Sequence, residues 1–486
     1  MIKIRSLCEF YFSRAFGPFC GKKDTKKYNN SSVLFQSINA IESYCRIKYL
    51  LLPKIIIMAK RTKFPFVYWV ANFIEVLERF AYYGIYMSFG IYLTQLGFSR
   101  GELGIVQSLF LLVSYFIPVI SGTFADRYGF KKVLIASYLA YLPAILLLMY
   151  TKSFSGIALT MLAIGFAAGM FKPLVSGTVR AVTDKSNKTL GFGIFYMMVN
   201  FGASFGPVIL GKLRAISWNT AFIAAAITIG LMLIITILFY KEPPRELEGT
   251  TLKQKFKDLG TALSDWNFTV FLILLGVFFW LPFWAFFNIL PMYIDGQLDT
   301  VQLYEGIRSI FGENFASVIS HEGEDGKWRI LGETIAHTGY IIIIFQLFVT
   351  LIAEKFKAIP TFLVGLIIAA VGCVVLGWSL EASAALVFLG VFLFAVGEMV
   401  SSPRIQEYIT WIAPKEKAGL YMGANFMAVG LGGFLSGITY TILYGKFETA
   451  GNADYIWYTL AVHLILAVVV IWAYFKFFAK LQEVEE

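Results

Sequence analysis

Twelve apolar stretches recur along this 486-residue chain, and they leave little room for any architecture but a bundle of membrane-crossing helices. A spanning helix needs roughly 20 predominantly apolar residues. Hydropathy and helix-breaking residues put the first six near 66–96, 102–122, 131–150, 155–180, 190–211 and 217–240. The second six fall near 267–294, 334–353, 360–380, 384–411, 418–444 and 454–478. Between the two sets lies a polar stretch, Lys241 to Asp265, with Pro243, Pro244 and five basic residues. Six, linker, six predicts an all-α polytopic membrane protein with 12 transmembrane helices in two six-helix bundles. The N-terminal bundle is expected in 58–240, a cytoplasmic linker in 241–265, and the C-terminal bundle in 266–486 with an external loop at 295–332. Repeated bundles of this kind commonly enclose a substrate site near the midplane.

Composition agrees: 58% of residues are hydrophobic and only 15% charged, outside the range of soluble globular chains. The net charge of +10 does not point to nucleic acid, because the basic residues sit in short clusters between apolar runs, as cytoplasmic loops do. Arg127, Lys131, Lys132, Lys185, Lys188, the linker cluster, Lys355, Lys357 and Lys476 all fall in one set of loops. Both termini and the linker are therefore expected in the cytoplasm, of a bacterial inner membrane, and the 295–332 connection outside. Residues 1–57 have another texture, with KKDTKKYNNSS at their middle, and read as a disordered or mistranslated leader before a true start at Met58. Three of the four cysteines lie in that leader and the fourth, Cys373, in an apolar run, so no disulfide or metal spacing follows. His321, beside the acidic residues of HEGEDGKWR, is a single histidine without a second ligand set, and no metal is expected there.

The first stretch carries an anomaly. Glu75, Glu78, Arg79, Tyr82 and Tyr83 lie at helical spacings of three and four and share one broad arc. A charge near the bilayer centre costs about 2.5–3.5 kcal/mol, so such an arc should face a wet or partnered interior. A Glu75–Arg79 ion pair that merely fixes packing is the plainer alternative, but it leaves Glu78 without a partner on this helix. Lys172 and Glu398 are single charges inside long apolar runs, one in each half. A carboxylate whose proton affinity depends on which side of the membrane is open can couple proton flow to solute movement. The competing reading is a static salt-bridge network that locks the bundles.

Several motifs resemble known patterns. GTFADRYGFKK, Gly122 to Lys132, resembles the cytoplasmic loop motif of the major facilitator superfamily, with Phe130 where an arginine is usual. EVLERFAYYG, Glu75 to Gly84, matches the first-helix motif E-x-x-E-R-F-x-Y-Y-G of the proton-coupled oligopeptide transporter (POT) family. GMFKPLVSG, FYMMVNFGASFGP and GEMVSSP are similar to the family's fourth-, fifth- and tenth-helix segments. The resemblance implies a major facilitator fold and a proton-coupled symporter importing di- or tripeptides, or related small peptide-like solutes, by alternating access. It implies that Glu75, Glu78, Arg79, Lys172 and Glu398 couple the proton. Tyr82, Tyr83, Tyr86, Lys172, Tyr196, Asn200, Trp280, Trp284 and Glu398 would contact substrate, and Asp126, Arg127, Arg404 and Glu407 would serve the gate. The proton is the only coupling ion expected, with no cofactor or metal, no enzymatic activity, and a functional monomer in the lipid bilayer.

Two departures matter. Peptide-taking members usually carry a second arginine where this chain has Tyr86, which keeps open a carrier or exporter of another small solute, such as an amino-acid conjugate or a drug-like amine. The eighth helix usually offers an asparagine before a proline; ETIAHTGYIII offers His337 and Thr338 instead, and His337 reads either as a helix-end histidine facing water, the favoured role, or as a substitute polar contact or extra titrating group. A membrane peptide sensor without transport remains the reading from another class.

Overall fold

The computed structural model describes residues 63–184, 187–243, 251–412 and 418–478, with the side chain of Asp126 among those left undescribed. The expectations for residues 1–57 and for Asp126 thus lie outside what it describes. The first half consists of α1 (Phe66–Gln95), α2 (Arg100–Tyr128), α3 (Phe130–Leu147), α4 (Phe154–Ala181), α5 (Lys188–Ile216) and α6 (Trp218–Phe239). Local sequence sets the starts. Pro65 precedes α1, a Ser99–Glu102 capping box opens α2, and the Ser153 and Ser217 side chains cap α4 and α6.

The expected linker contains a helix, α7 (Leu252–Leu263), capped by Thr251. Asp265 then caps α8 (Trp266–Leu275), which runs through a wide π-helical turn at Gly276–Trp280 into α9 (Leu281–Gln297). The 295–332 connection is folded, with α10 (Thr300–Phe311), α11 (Glu313–Val318) and a hairpin of β1 (Ser320–Glu322) on β2 (Trp328–Ile330) in which His321 faces Arg329. The expected span at 334–353 is two helices, α12 (Gly332–Ile335) and α13 (Gly339–Ala353), broken at Ala336–Thr338. The chain ends with α14 (Ala358–Glu381), α15 (Leu386–Ile412), α16 (Ala418–Ser436), α17 (Ile442–Thr449) and α18 (Tyr455–Ala473).

Eleven segments of the described residues are long and apolar enough to cross a membrane. The 30-residue α1, with its three interior charges, makes the twelfth. Within the halves α1 packs on α5, α2 on α4 and α14 on α15; across them α2 meets α16, α5 meets α13 and α1 meets α9. Gly202 and Gly206 explain the tight α1–α5 pair: a Cβ at either would lie 2.3 Å from the carbonyl of Val76 or Phe80. Only a hydrogen fits there, and the spacing of four puts both on one face.

Candidate functional site

The charged arc of α1 is buried against the bundle interior. Glu75 is 2% exposed, Glu78 0% and Arg79 7%. Arg79 Nε donates to Glu75 Oε1 at 2.8 Å and lies 3.0 Å from Glu78 Oε2. One guanidinium therefore serves both carboxylates, which corrects the expectation that Glu78 has no partner on its own helix. The service is unequal, because no donor among the described residues hydrogen-bonds Glu75 Oε2 or either oxygen of Glu78. Glu78 is thus held by charge alone and keeps its full capacity to accept a proton.

Lys172, on α4, makes no ion pair among the described residues. Its Nζ donates to Ser114 Oγ at 2.6 Å and to the Ser114 carbonyl at 3.2 Å, and stands 3.6 Å from the Tyr115 ring centroid and 4.8 Å from that of Tyr82. The free carbonyl has a local cause. Pro118, four residues on in α2, lacks the amide that would have bonded Ser114, so the lysine takes its place. Two tyrosine faces supply the remaining stabilisation of a cation. Tyr82 is the hinge of the cluster: its hydroxyl meets Ser114 Oγ at 3.3 Å, and the Arg79 guanidinium lies 5.7 Å from its ring.

The aromatic wall continues into the second half. Tyr86 stacks on Tyr82 at 6.0 Å and meets Trp284 edge-on, and Trp284 in turn meets Tyr115 at 5.4 Å. The Tyr86 hydroxyl donates to Asn288 Oδ1, whose Nδ2 donates to Ser436 Oγ at 3.0 Å. Where a second arginine is usual, this chain thus places a neutral hydrogen-bonded bridge between the halves.

The break between α12 and α13 faces the same region. Thr338 Oγ1 donates to Glu398 Oε2 at 2.9 Å. His337 is 6% exposed rather than water-facing, which corrects that expectation. Its Nδ1 accepts from the Gly339 amide at 2.7 Å and its ring packs edge-on against Tyr83 at 5.5 Å. The broken helix turns the ring inward.

Tyr196 lies within electrostatic range of Glu398 and Tyr83, while Trp280 and the expected gate residues lie apart. Asn200 Nδ2 bonds the Tyr196 carbonyl one turn back on α5, and Tyr196 is 39% exposed. Trp280, in the π turn, abuts Gly432 of α16, with no ring contact to the site tyrosines among the described residues. Arg404 pairs with Glu407 and donates from Nη2 to the Phe356 carbonyl at 2.6 Å, tying the ends of α13 and α15. Arg127 is exposed beside the Tyr128 ring.

Sequence reasoning missed the closures at the end of the bundle where α1, α5, α9 and α17 finish. Arg214 of α5 pairs with Glu333, which is 0% exposed, through Nε and through Nη2 at 2.8 Å, and its Nη2 reaches Asp295 at 3.3 Å. Arg100 of α2 holds Glu448 of α17 with two bonds of 2.8 Å. Both networks bridge the halves, and their partners are 81–348 residues apart, beyond any local spacing rule.

The family model of the Major Facilitator Superfamily matches residues 69–312 and 331–483. The chain is 24% identical over 209 residues to the quinolone resistance protein NorA of Staphylococcus aureus, covering 43% of this chain and 53% of NorA. It is 31% identical over 180 residues to the uncharacterized transporter YclF of Bacillus subtilis, covering 35% of this chain and 37% of YclF. Against the class H tetracycline resistance protein of Pasteurella multocida it is 22% identical over 373 residues, covering 76% of this chain and 86% of that one. The matched segment thus spans about half of NorA and little more than a third of YclF. Among solved structures, a POT family transporter in complex with a thioalcohol conjugated peptide superposes with a TM-score of 0.65 at 20% identity, covering 84% of this chain and 96% of that one. The nucleoside transporter NupG superposes equally well, with a TM-score of 0.66 at 13% identity, covering 84% of this chain and 100% of its own, so these superpositions speak to the fold. With the family model covering most of the chain and the helices arranged in two six-helix halves, this integral, multi-pass membrane protein belongs to the major facilitator superfamily.

Proposed function

We propose that this transporter is a proton-coupled symporter of the POT group that imports di- or tripeptides, or related small peptide-like solutes, by alternating access. The observation that carries the reading is Glu78: a buried carboxylate with no hydrogen-bond donor among the described residues, 3.0 Å from the Arg79 guanidinium that also holds Glu75. Taking up a proton there would release Arg79 from one of its two partners, while Lys172 stays on Ser114 and the tyrosine faces. In this scheme Lys172 meets the substrate's carboxylate end and Glu398, held by Thr338, its amino end. Tyr82, Tyr83, Tyr86 and Trp284 give the aromatic lining. A POT family transporter of the same fold is solved with a thioalcohol conjugated peptide, and the substrate class proposed here follows from the motif resemblance. No metal or cofactor enters the scheme, and a monomer suffices for it.

A second reading has its own support. The neutral Tyr86–Asn288 bridge removes one charge that would bind a carboxylate, and the drug-resistance relatives are consistent with a proton-driven carrier of a drug-like amine or amino-acid conjugate. Proteoliposomes loaded with the native chain, Glu398→Gln or Lys172→Ala decide between them. Labelled dialanine should enter only under a proton gradient, and uptake should collapse in both variants. Ligand-driven proton movement with another solute but not dialanine would move the substrate to the second reading. No proton movement with any solute would sink both.

A further inference from the structure

The segment between α9 and α12 carries apolar side chains on its outer edge as well as its inner face. Leu303, Tyr304 and Ile307 of α10 are buried against the body. Ile310, Phe311, Phe315 and Val318, around the turn at Gly312, are 74%, 65%, 50% and 50% exposed, and the Phe311 and Phe315 rings lie 5.4 Å apart. Four large apolar groups side by side on a connecting segment call for a partner.

Two sets of bonds fix the level of this edge along the bundle. The Leu331 amide donates to the Ile319 carbonyl at 3.1 Å, and Thr334 Oγ1 reaches the same carbonyl at 3.1 Å. Val318 is therefore level with the first turn of the membrane span Gly332–Ala353. From the other half, Lys212 Nζ donates to the carbonyls of Ser317 and Ser320, both at 2.6 Å, one turn before the end of the span Leu190–Ile216. Ile216, at that end, is itself 76% exposed. The apolar edge of α10 and α11 is thus level with the ends of two apolar spans, beside the exposed Ile216.

We propose that the edge formed by Ile310, Phe311, Phe315 and Val318 is inserted into the lipid leaflet, so that the 295–332 segment is an interfacial element and not a loop in water. An apolar face beside a salt-bridged polar one, here Glu305 and Arg308 at 3.2 Å, suits the boundary between acyl chains and headgroups. Alignment with the span ends favours phospholipid over a second copy of the chain as the occupant.

The test uses the full chain in phospholipid nanodiscs, with Cys8, Cys20, Cys45 and Cys373 replaced by serine. An environment-sensitive fluorophore is attached at Phe315→Cys and, for comparison, at Glu324→Cys on the exposed hairpin turn. Val318→Cys repeats the reading should Phe315→Cys fold poorly. The label at 315 should emit further to the blue than that at 324, be quenched by nitroxide-bearing lipid, and be shielded from iodide. Iodide access at 315 equal to that at 324 overturns the proposal. So does shielding that disappears on dilution to one chain per disc, which would assign the edge to a second copy.

Discussion

At the residue scale, the site rests on one guanidinium shared by two carboxylates that it holds unequally. Glu75 has a 2.8 Å hydrogen bond to Arg79, whereas Glu78 has proximity only. Removing a shared cation leaves two buried charges uncompensated, and breaking a buried pair in this way costs about 3–5 kcal/mol. Arg79→Ala is therefore expected to lose that much stability, and Glu78→Gln much less, because glutamine forfeits no hydrogen bond and removes a buried charge. Thermal unfolding in detergent measures the order; a Glu78→Gln variant less stable than Arg79→Ala would show that Glu78 is structural. The charged arc was legible in the sequence because helical spacing alone puts Glu75, Glu78 and Arg79 together. The partner of Lys172 was not, since it depends on Pro118 freeing a carbonyl on a different helix. The inward turn of His337 was equally hidden, because it follows from a helix break that hydropathy averages away.

At the scale of elements, the folded 295–332 segment is where the sequence reading of a polar external loop was too coarse. Its helices and hairpin are short, and their buried residues are dispersed among polar ones, so no window of hydropathy reveals them. The hairpin is expected to respond to pH. Burial, and next the Arg214 charge, lower the pKa of the His321 ring, and its Nδ1 finds no acceptor among the described residues. A histidine whose pKa falls on folding binds more protons when unfolded, so its contribution to docking is present at high pH and is lost as pH falls through the usual value of 6.5. Asp325, held well below the ordinary carboxylate range by its bonds to Arg329, keeps its pair intact over that window. Protection of the hairpin amides, taken as exchange relative to the intrinsic rate at each pH, should fall as the pH drops below about 6.5, and His321→Asn should flatten the response. Protection that ignores pH in the native chain, once the intrinsic rate is divided out, would remove His321 from any such role.

At the scale of the whole molecule, the twelve-helix plan was readable because each span states itself in about 20 residues, while the relation between the two halves depends on partners far apart in sequence. In this structure ion pairs join the halves at one end: Arg214 with Glu333 and Asp295, and Arg100 with Glu448. A carrier that alternates must part these contacts to open that end, so they set its resting population. The buried Glu333 pair should weigh more than the Glu448 pair, whose side chains are 15% and 25% exposed and correspondingly screened. Each 1.4 kcal/mol withdrawn from the closed form shifts the ratio about tenfold. Glu333→Gln and Glu448→Gln keep shape and remove charge, and their combination should raise the form open at that end beyond either alone. Spin labels at Ser155 and Asn452, exposed at that end in opposite halves, report the separation. A longer distance should grow in the order Glu448→Gln, Glu333→Gln, double variant; an unchanged distribution in the double variant would mean that packing, and not these ion pairs, holds the halves together.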